Sequence, residues 1–389
     1  MRVLVDVRHL ASLTQSGVGE YTIQLLKALF RVGGHEYLLF SSGSALSPIP
    51  QFFPEIQNFP YVRHIHIPMP NRTLNASFLL AGYPSLPDLI REKADMLFAP
   101  NLAIFPLPLS LPTVLTVHDM TWNLFPELYP LKMRLWHRAV RPTKLMQQAA
   151  AIICPSESTS SDLEKQSDIP ANRIHIVPHG VDHARFFSSS TFSQPSETSV
   201  RAIYGLPERF ILFLGTLEPR KNVRTLIKAV SDYRRQTHDT ISLVLAGAPG
   251  WKNGDIKRCL QNPEIKTWVL PIRYIHAQDR AAMYRAATVF VWPTLYEGFG
   301  LPVLEAMACG TPVITSAVSS IPELTGSSAV LINPYLAADL TLALKNVLSS
   351  KIMRNRLSKK GIEQATAFSW SKAAQKTLEI FEHTKSPNF

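Results

Sequence analysis

The chain has 389 residues, more than one hydrophobic core usually contains, and its 46% hydrophobic content is enough for two domains. Its net charge of +11 and pI near 9.6 indicate an acidic partner, such as a phosphorylated substrate or an anionic lipid. Because the sequence contains no zinc-finger, RNP or basic-zipper pattern, we expect no nucleic-acid partner.

The first predicted strand, Val3–Val7, begins almost at the N-terminus and leaves no room for a signal peptide. The most apolar stretch, residues 97–117, contains four prolines and therefore does not predict a membrane-spanning helix. The three cysteines lie far apart, without disulfide or metal-ligand spacing, which is typical of a reducing compartment: Cys154, Cys259 and Cys309. These features predict a cytoplasmic protein.

The first half alternates apolar strands with helical patterns, as in a doubly wound parallel sheet. The predicted strands are Val3–Val7, Tyr37–Ser41, Val62–Ile67, Met96–Ala99, Thr113–His118, Ala151–Pro155 and Ile174–Pro178. The predicted helices include Gly19–Phe30, Leu86–Glu92, Leu131–Gln148 and Ser156–Lys165.

A stretch rich in Ser and Pro, residues 188–200, predicts a linker, after which the alternation starts again as a second doubly wound α/β domain. Its predicted strands are Phe210–Gly215, Ser242–Ala246, Trp268–Leu270, Val289–Trp292, Val313–Thr315 and Val330–Ile332. Its predicted helices include Asn222–Arg234, Gln278–Ala286, Pro302–Ala308 and Ala337–Ser349.

The most informative segment, residues 297–314, reads E-G-F-G-L-P-V-L-E-A-M-A-C-G-T-P-V-I. Glu297 lies in a loop after a strand, and Glu305 is expected in the first turn of the next helix. Gly298 and Gly300 would let a ligand approach the backbone closely, and the helix amides favour an anion. Carboxylates and free amides together suit a ligand with both hydroxyls and phosphates, such as a nucleotide sugar.

This E-x7-E segment resembles the donor site of the large retaining glycosyltransferase family 4, which has the GT-B fold. The resemblance implies that Glu305 binds the ribose hydroxyls of a nucleotide sugar. It also implies that Glu297 lies beside the sugar and stabilises positive charge developing at the anomeric carbon. The donor would further contact the loop and helix start: Gly298, Phe299, Gly300 and Leu301.

The resemblance covers nearly the whole chain and implies two Rossmann-like domains that face a cleft. Residues 1–187 would form the N-terminal, acceptor-side domain, and residues 188–200 would form the linker. Residues 201–367 would form the donor-binding domain, and a C-terminal helix, 368–385, would cross back to the first domain.

A second motif, G-T-L-E-P-R-K-N at residues 215–222, follows the first strand of the second domain and opens a helix. A helix N-terminus beside Arg and Lys suits a diphosphate. The motif resembles the family's diphosphate site, in which the lysine, here Lys221, neutralises the leaving group; Gly215 and Arg220 belong to the same site. Many members have an arginine directly after the glycine, where this chain has Thr216.

The chain contains no Asp-x-Asp pair, the usual metal ligand of transferases that neutralise the diphosphate with a divalent ion. We therefore expect Lys221, Arg220 and helix dipoles to do this instead, with no metal and no cofactor. Tyr274, after a predicted strand, matches the usual base-contacting position, which does not distinguish uracil, guanine and thymine.

In the first domain, T-Q-S-G-V-G-E-Y-T at residues 14–22 resembles the family's T-G-I-G-R-Y-T loop. That loop's glycine backbone, here Gly17, Val18 and Gly19, closes over the donor phosphate or the acceptor, and Glu20 occupies a usually basic position. A nicotinamide-binding loop is a poor alternative, since the third glycine is missing and the loop lies far from the strand.

The segment V-H-D-M-T at residues 117–121 ends a predicted strand and resembles the V-H-D of related mannosyl- and rhamnosyltransferases. The resemblance implies that His118 contacts the donor sugar or helps to shape the acceptor site. A lone histidine at a strand end is more often structural, so the role of His118 rests on the resemblance.

Residues 129–156 contain no acidic side chain, and the predicted helix Leu131–Gln148 carries Arg134, Arg138 and Arg141 on one face. This face could dock on an anionic membrane or a lipid-diphosphate acceptor. A simple solvated basic face is the alternative.

The sequence thus predicts a retaining, metal-independent glycosyltransferase that moves a hexosyl group from a nucleotide sugar to a saccharide or lipid-linked saccharide acceptor. The T-x-x-G-V-G-x-Y-T and V-H-D segments favour GDP-mannose, cell-surface polysaccharide synthesis and a location at the inner face of the plasma membrane. A GT-B nucleotide-sugar epimerase and a catalytically silent nucleotide-sugar-binding scaffold are the alternatives.

Overall fold

The structure is a computed structural model, and it describes four segments of the chain: residues 1–11, 16–43, 47–188 and 195–385. The chain divides into two compact units. Unit 1 comprises Met1–Leu124, Leu131–Gly180 and the C-terminal segment that begins at Trp370. Unit 2 comprises Phe125–Pro130 and Val181–Ser369.

The described part of unit 1 contains a seven-stranded parallel sheet with the order β3-β2-β1-β4-β5-β6-β7. Its strands are β1 (Arg2–Asp6), β2 (Glu36–Ser42), β3 (Val62–Ile67), β4 (Met96–Ala99), β5 (Thr113–Thr116), β6 (Ala151–Cys154) and β7 (Ile174–Ile176). The central strands are apolar and buried on both faces, as parallel sheets require. The order reverses between β1 and β4, the point at which doubly wound sheets bind ligands.

Helices cover this sheet: α1 (Gly17–Val32), α2 (Ile49–Phe52), α3 (Asn71–Ala81), α4 (Leu86–Ile90), α5 (Thr121–Leu124), α6 (Leu131–Val140), α7 (Pro142–Gln148) and α8 (Glu157–Gln166). The C-terminal helix Trp370–Lys385 packs against α1. Its Phe381 ring lies 5.2 Å from the Phe98 ring of β4. The predicted return of the C-terminal helix to the first domain is therefore confirmed.

Unit 2 contains, within the described residues, a six-stranded parallel sheet with the order β10-β9-β8-β11-β12-β13. Its strands are β8 (Phe210–Leu214), β9 (Ser242–Ala246), β10 (Val269–Ile272), β11 (Val289–Trp292), β12 (Val313–Ser316) and β13 (Val330–Ile332). Its helices are α9 (Glu197–Tyr204), α10 (Val223–Thr237), α11 (Gly254–Gln261), α12 (Pro263–Lys266), α13 (Arg280–Ala286), α14 (Leu301–Ala308), α15 (Ile321–Thr325), α16 (Ala337–Ser349) and α17 (Lys351–Ala365). The C-terminal helix is α18. Two doubly wound parallel α/β domains are thus confirmed.

The predicted basic helix Leu131–Gln148 is wrong as a single element, since it is two helices, α6 and α7. Arg141 between them has φ 53°, and Pro142 begins α7. Proline has no N–H to donate and disfavours a helical residue before it, so the first helix ends there. Arg141 therefore does not continue the face that carries Arg134 and Arg138.

The predicted linker, 188–200, also differs from the structure. The chain passes from unit 1 to unit 2 between Gly180 and Val181, and α9 already begins at Glu197. The Ser196 hydroxyl caps α9 by accepting from the Ser199 amide at 3.0 Å. Residues 189–194 of the predicted linker lie outside the described segments.

Among the helices of the described segments, none combines the length and the apolarity that a membrane crossing requires.

Candidate functional site

Three predicted donor residues of unit 2, Arg220, Lys221 and Glu297, meet at the carboxyl ends of β8 and β11, neighbouring strands at which the sheet order reverses. Gly215 follows β8 directly, and a Cβ there would lie 2.6 Å from the Trp292 ring. Glycine is therefore required by packing between the two strand ends. The loop after β11 continues from this contact to Glu297.

Glu297 is the centre of a buried charge cluster and is only 7% exposed. Its carboxylate accepts from Lys221 Nζ at 2.5 Å and from Arg220 Nη1 at 2.8 Å. The Thr294 hydroxyl donates to it at 2.9 Å and the Trp292 indole at 3.1 Å. Burial alone would raise the pKa of Glu297, but the charges of Arg220 and Lys221 outweigh it and lower the pKa to about 2.

Lys221 belongs to a short 3-10 turn, Pro219–Lys221, that precedes α10. Its ammonium lies 4.6 Å from the centre of the Trp292 ring, a cation–π distance. Burial and the neighbouring Arg220 lower the pKa of Lys221. A lysine so enclosed is a fixed cation, with its position set by Glu297 and Trp292.

Glu218 is a fourth member of this cluster that the sequence reasoning did not single out, and it is 2% exposed. Its Oε1 accepts from Arg220 Nη2 at 3.1 Å. Its Oε2 is buried and has no hydrogen-bond partner among the described residues. Burial raises the pKa of Glu218, against the charges of Arg220 and Lys221. The sequence shows that Glu218 belongs to the 215–222 motif, but it does not show that the side chain is buried.

Glu305 is the fifth residue of α14 and lies just beyond the expected first turn, because the helix begins one residue earlier than predicted, at Leu301. Both carboxylate oxygens accept from Arg280, and Oε2 also accepts from the Tyr284 hydroxyl at 2.9 Å. Arg280 and Tyr284 lie on α13, and sequence reasoning did not find either. These two donors fix the orientation of the buried Glu305 carboxylate.

The loop between the two carboxylates is held by the serines that follow β12. The Ser319 hydroxyl accepts from the Glu297 amide at 2.8 Å. The Ser320 hydroxyl lies 2.9 Å from the Glu297 carbonyl and 3.0 Å from the Phe299 carbonyl. Gly300, at φ 108°, caps α14, and a Cβ there would lie 2.8 Å from Ile321. The strained backbone and close packing both require glycine here.

Three further residues predicted to bind the donor range from buried to exposed. Gly298 is buried within the same loop, and Leu301 at the start of α14 is half-buried. Tyr274, beyond the end of β10, is 59% exposed, and its ring lies 5.1 Å from the His276 ring. A flat exposed ring of this kind is available for stacking.

In unit 1, His118 follows β5 within a cluster of aromatic and imidazole rings. Its Nε2 lies 2.8 Å from the Pro100 carbonyl, so Nε2 carries the proton. Its ring lies 4.7 Å from Tyr21 and 5.6 Å from His179, which stacks on Trp370. Burial lowers the pKa of His118, and burial together with His118 lowers the pKa of His179 well below 6.5.

The predicted glycine loop of the first domain is wrong in the described part, since Gly17, Val18 and Gly19 form the first turn of α1. The Ser16 hydroxyl accepts from the Gly19 amide at 3.3 Å and caps the helix. This cap explains why α1 begins at Gly17 and includes both glycines. Thr14 and Gln15 lie outside the described residues.

Within the described segments, no group of three or more His, Cys, Asp and Glu side chains is placed to hold a metal ion. The positive charges beside Glu297 are the side chains of Arg220 and Lys221. Chemically, this arrangement offers two fixed positive charges and an ionised carboxylate at one strand end.

Each half of the chain matches the sequence profile of a different glycosyltransferase domain. The sequence profile described as "Glycosyl transferases group 1" matches residues 198–364, and that described as "Glycosyltransferase Family 4" matches residues 15–185. The chain is 28% identical to the O-antigen chain mannosyltransferase B of Escherichia coli, over 94% of this chain and 96% of that protein.

Two solved structures share the fold. Sucrose-phosphate synthase from Thermosynechococcus elongatus superposes with a TM-score of 0.74 at 21% identity, over 98% of each chain. Anabaena HepE in complex with UDP-glucose superposes with a TM-score of 0.73 at 18% identity, over 98% of this chain and 100% of that one.

Proposed function

Because the chain belongs to the glycosyltransferases of group 1 and family 4, we propose that it moves a hexosyl group from a nucleotide sugar to a saccharide or lipid-linked saccharide acceptor. The acceptor would be a growing cell-surface polysaccharide. The likeness to an O-antigen mannosyltransferase over almost its whole length supports this choice. The T-x-x-G-V-G-x-Y-T and V-H-D segments support the same subgroup.

One observation carries the proposal: Lys221 and Arg220 converge on Glu297 at the strand ends of unit 2. Two cations fixed there suit the diphosphate of a donor, whose negative charge grows as the glycosidic bond breaks. Glu297 stays ionised at neutral pH, as its low pKa requires. A carboxylate beside the sugar would stabilise positive charge at the anomeric carbon.

Glu305 completes the donor site in this proposal. Its carboxylate, oriented by Arg280 and Tyr284, accepts from the two ribose hydroxyls. The backbone from Gly298 to Leu301 faces the sugar and phosphates, and Tyr274 stacks beside the base.

For the reaction itself, we propose retention of the anomeric configuration without an enzymic nucleophile. The acceptor hydroxyl oxygen bonds to the anomeric carbon on the face from which the diphosphate leaves. The bond from carbon to the phosphate oxygen breaks, and the hydroxyl proton passes to the departing phosphate. His118, neutral with its proton on Nε2, offers Nδ1 as an acceptor for a sugar hydroxyl.

We also propose that the transfer needs no metal ion, because Lys221 and Arg220 supply the positive charge. Activity measured in EDTA should match activity with magnesium or manganese. Loss of activity in EDTA, restored by either ion, would contradict this part of the proposal.

The donor is proposed to be GDP-mannose. Calorimetry with GDP, UDP, dTDP and ADP in EDTA tests the nucleotide directly. We expect GDP to bind at micromolar concentration and more tightly than the other three. Lys221→Ala and Glu305→Ala should weaken GDP binding by roughly tenfold or more, since each removes a charge-assisted contact. Lys228→Ala is the matched control, because its side chain is 65% exposed. Unchanged affinity in Lys221→Ala would remove the lysine from the site.

Membrane docking is a finer proposal that α6 supports. Three of its apolar side chains are exposed among basic ones: Leu131 at 66%, Leu135 at 51% and Trp136 at 42%. An apolar and basic surface suits anionic headgroups. Co-sedimentation with liposomes should increase with anionic lipid, and equal retention with and without it would contradict docking.

Product analysis separates the two alternatives. Isomerised free donor would indicate an epimerase of the same fold. Tight donor binding without transfer to any lipid-linked acceptor would indicate a silent scaffold.

A further inference from the structure

Of the two carboxylates beside Lys221 and Arg220, Glu218 has fewer hydrogen bonds than Glu297. Glu297 receives four hydrogen bonds, from Lys221, Arg220, Thr294 and Trp292. Glu218 receives one, from Arg220, while its Oε2 is buried with no partner among the described residues. A buried carboxylate oxygen without a donor is costly when it is ionised and much less costly when it is protonated.

The formal charges of Glu218 and its three charged neighbours sum to zero. Lys221 and Arg220 contribute two positive charges, and Glu297 and Glu218 contribute two negative ones. A diphosphate arriving at the cations adds negative charge to a cluster with no excess positive charge. In a poorly solvated site this repulsion is strong, and the simplest relief is to neutralise one carboxylate.

We propose that Glu218 takes up a proton when the diphosphate of a nucleotide sugar binds at Lys221 and Arg220. This inference rests on the proposed function, because it assumes that the diphosphate occupies that site. The proton converts a balanced cluster into one with an excess positive charge. Glu218 is then a positioning residue, which acts on the ligand through Arg220.

Glu297 is a poorer proton acceptor than Glu218. The charges of Arg220 and Lys221, with hydrogen bonds from Lys221 and Thr294, outweigh burial and lower the pKa of Glu297 to about 2, whereas burial raises the pKa of Glu218. The loop after β9 also packs on Glu218, since a Cβ on Gly250 would lie 3.1 Å from the Glu218 Cβ. The cation of that loop, Lys252, is bonded to the Glu127 carbonyl at 2.5 Å. Within the described segments, the ionisable groups that act on Glu218 are Arg220, Lys221 and Glu297.

The direction of the pH effect follows from this geometry. A group whose pKa rises on binding takes up a proton, so donor affinity increases as the pH falls through the bound-state pKa of Glu218. The increase ends below the pKa of Glu218 in the free protein, which itself lies above the ordinary 4.5. One proton changes Kd by at most about tenfold per pH unit.

The test is titration calorimetry with GDP-mannose, and with UDP-glucose in parallel, in buffers of different ionisation enthalpy between pH 5.5 and 8.5. Both ligands carry a diphosphate diester with no ionisation of its own near neutral pH. The wild-type protein should take up a measurable fraction of one proton. Glu218→Gln should take up less, and should bind on the order of tenfold more tightly at pH 8, because it lacks the opposing charge.

Two controls separate the possible failures. Glu264→Gln makes the same charge change at an exposed position on α12 and should behave as wild type. Equal proton uptake in wild type and Glu218→Gln, or weaker binding by Glu218→Gln at pH 8, would overturn the inference while leaving the donor site intact. Absence of binding, or binding that is unchanged in Lys221→Ala, would overturn the donor site and the inference together.

Discussion

Unit 1 and unit 2 have the same kind of doubly wound sheet, but their strand ends carry opposite chemistry. In unit 2, two acidic and two basic side chains lie together: Glu218, Glu297 and Lys221 are buried, and Arg220 is partly buried. In unit 1, the rings of Tyr21, His118 and His179 meet without a charge. One strand end is suited to a charged group and the other to neutral hydroxyls.

This difference shows how a common fold is adapted through the residues that follow its strands. Burying a charge is costly unless an opposite charge is close, so the cluster in unit 2 must contain both signs. Burying imidazoles lowers their pKa values, so the cluster in unit 1 remains neutral without counter-ions. Each cluster is stable in its own way, and each can be disrupted separately.

The largest effect is expected from Glu297→Gln, which removes the negative charge from the cluster in unit 2. Turnover should fall by about 10²–10³, since a fixed charge beside the reacting carbon is lost. Donor affinity should not fall, because Lys221 and Arg220 are released from their ion pair. Steady-state kinetics with labelled donor would separate kcat from KM, with Glu264→Gln as the control. A raised KM at unchanged kcat would contradict the assignment.

A smaller effect is expected from His118→Ala, which changes the neutral cluster of unit 1. Transfer should slow by about 10–100-fold, the value of one or two lost hydrogen bonds in a buried setting. GDP affinity should not change, because the nucleotide residues lie in unit 2. Calorimetry and transfer assays would test both statements, with the exposed His238→Ala for comparison. Loss of GDP binding would show that the two clusters are not independent.

The smallest effect concerns acid stability. His179 is buried with a pKa well below 6.5, and it regains its ordinary pKa when the chain unfolds. The unfolded chain therefore binds a proton that the folded chain does not, and the free energy of unfolding falls as the pH drops below 6.5. The slope from this one group is at most about 1.4 kcal/mol per pH unit.

His179→Asn should flatten that slope, even if it lowers stability at pH 7.5. Denaturant unfolding at pH 7.5, 6.5 and 5.5 would measure it, and His238→Asn serves as the exposed control. An unchanged slope in His179→Asn would show that His179 is not the group that titrates.

Much of the fold could be predicted because its signals are local. The strand Val289–Trp292 was predicted with its observed bounds, since four apolar residues are followed directly by Pro293. The helix Ala337–Ser349 was likewise predicted as observed. The prediction of a single helix over Leu131–Gln148 is wrong because the apolar and basic periodicity continues across Pro142, which ends α6.

The sequence predicts which residues belong to the site, but it does not predict which of them are in contact. Lys221, Glu297 and Glu305 were found through motifs of fixed spacing. Arg280 was missed because it reaches Glu305 only when α13 packs beside α14. Gly17 and Gly19 are typical of a loop, so the sequence predicts a loop where α1 has its first turn. The capping Ser16 before them is the signal that a helix begins there.

The sequence by itself determined the alternation of strands and helices, the two sheets, and the acidic and basic residues that follow particular strands. These depend on periodicity, turn residues and spacing within a few turns of chain. The tertiary structure decided which of those residues meet. Lys221 and Glu297 pair because β8 and β11 are neighbours in the sheet although they are distant in the chain. Packing alone also decided that Glu218 is buried with one oxygen unpaired, since burial depends on every element around it.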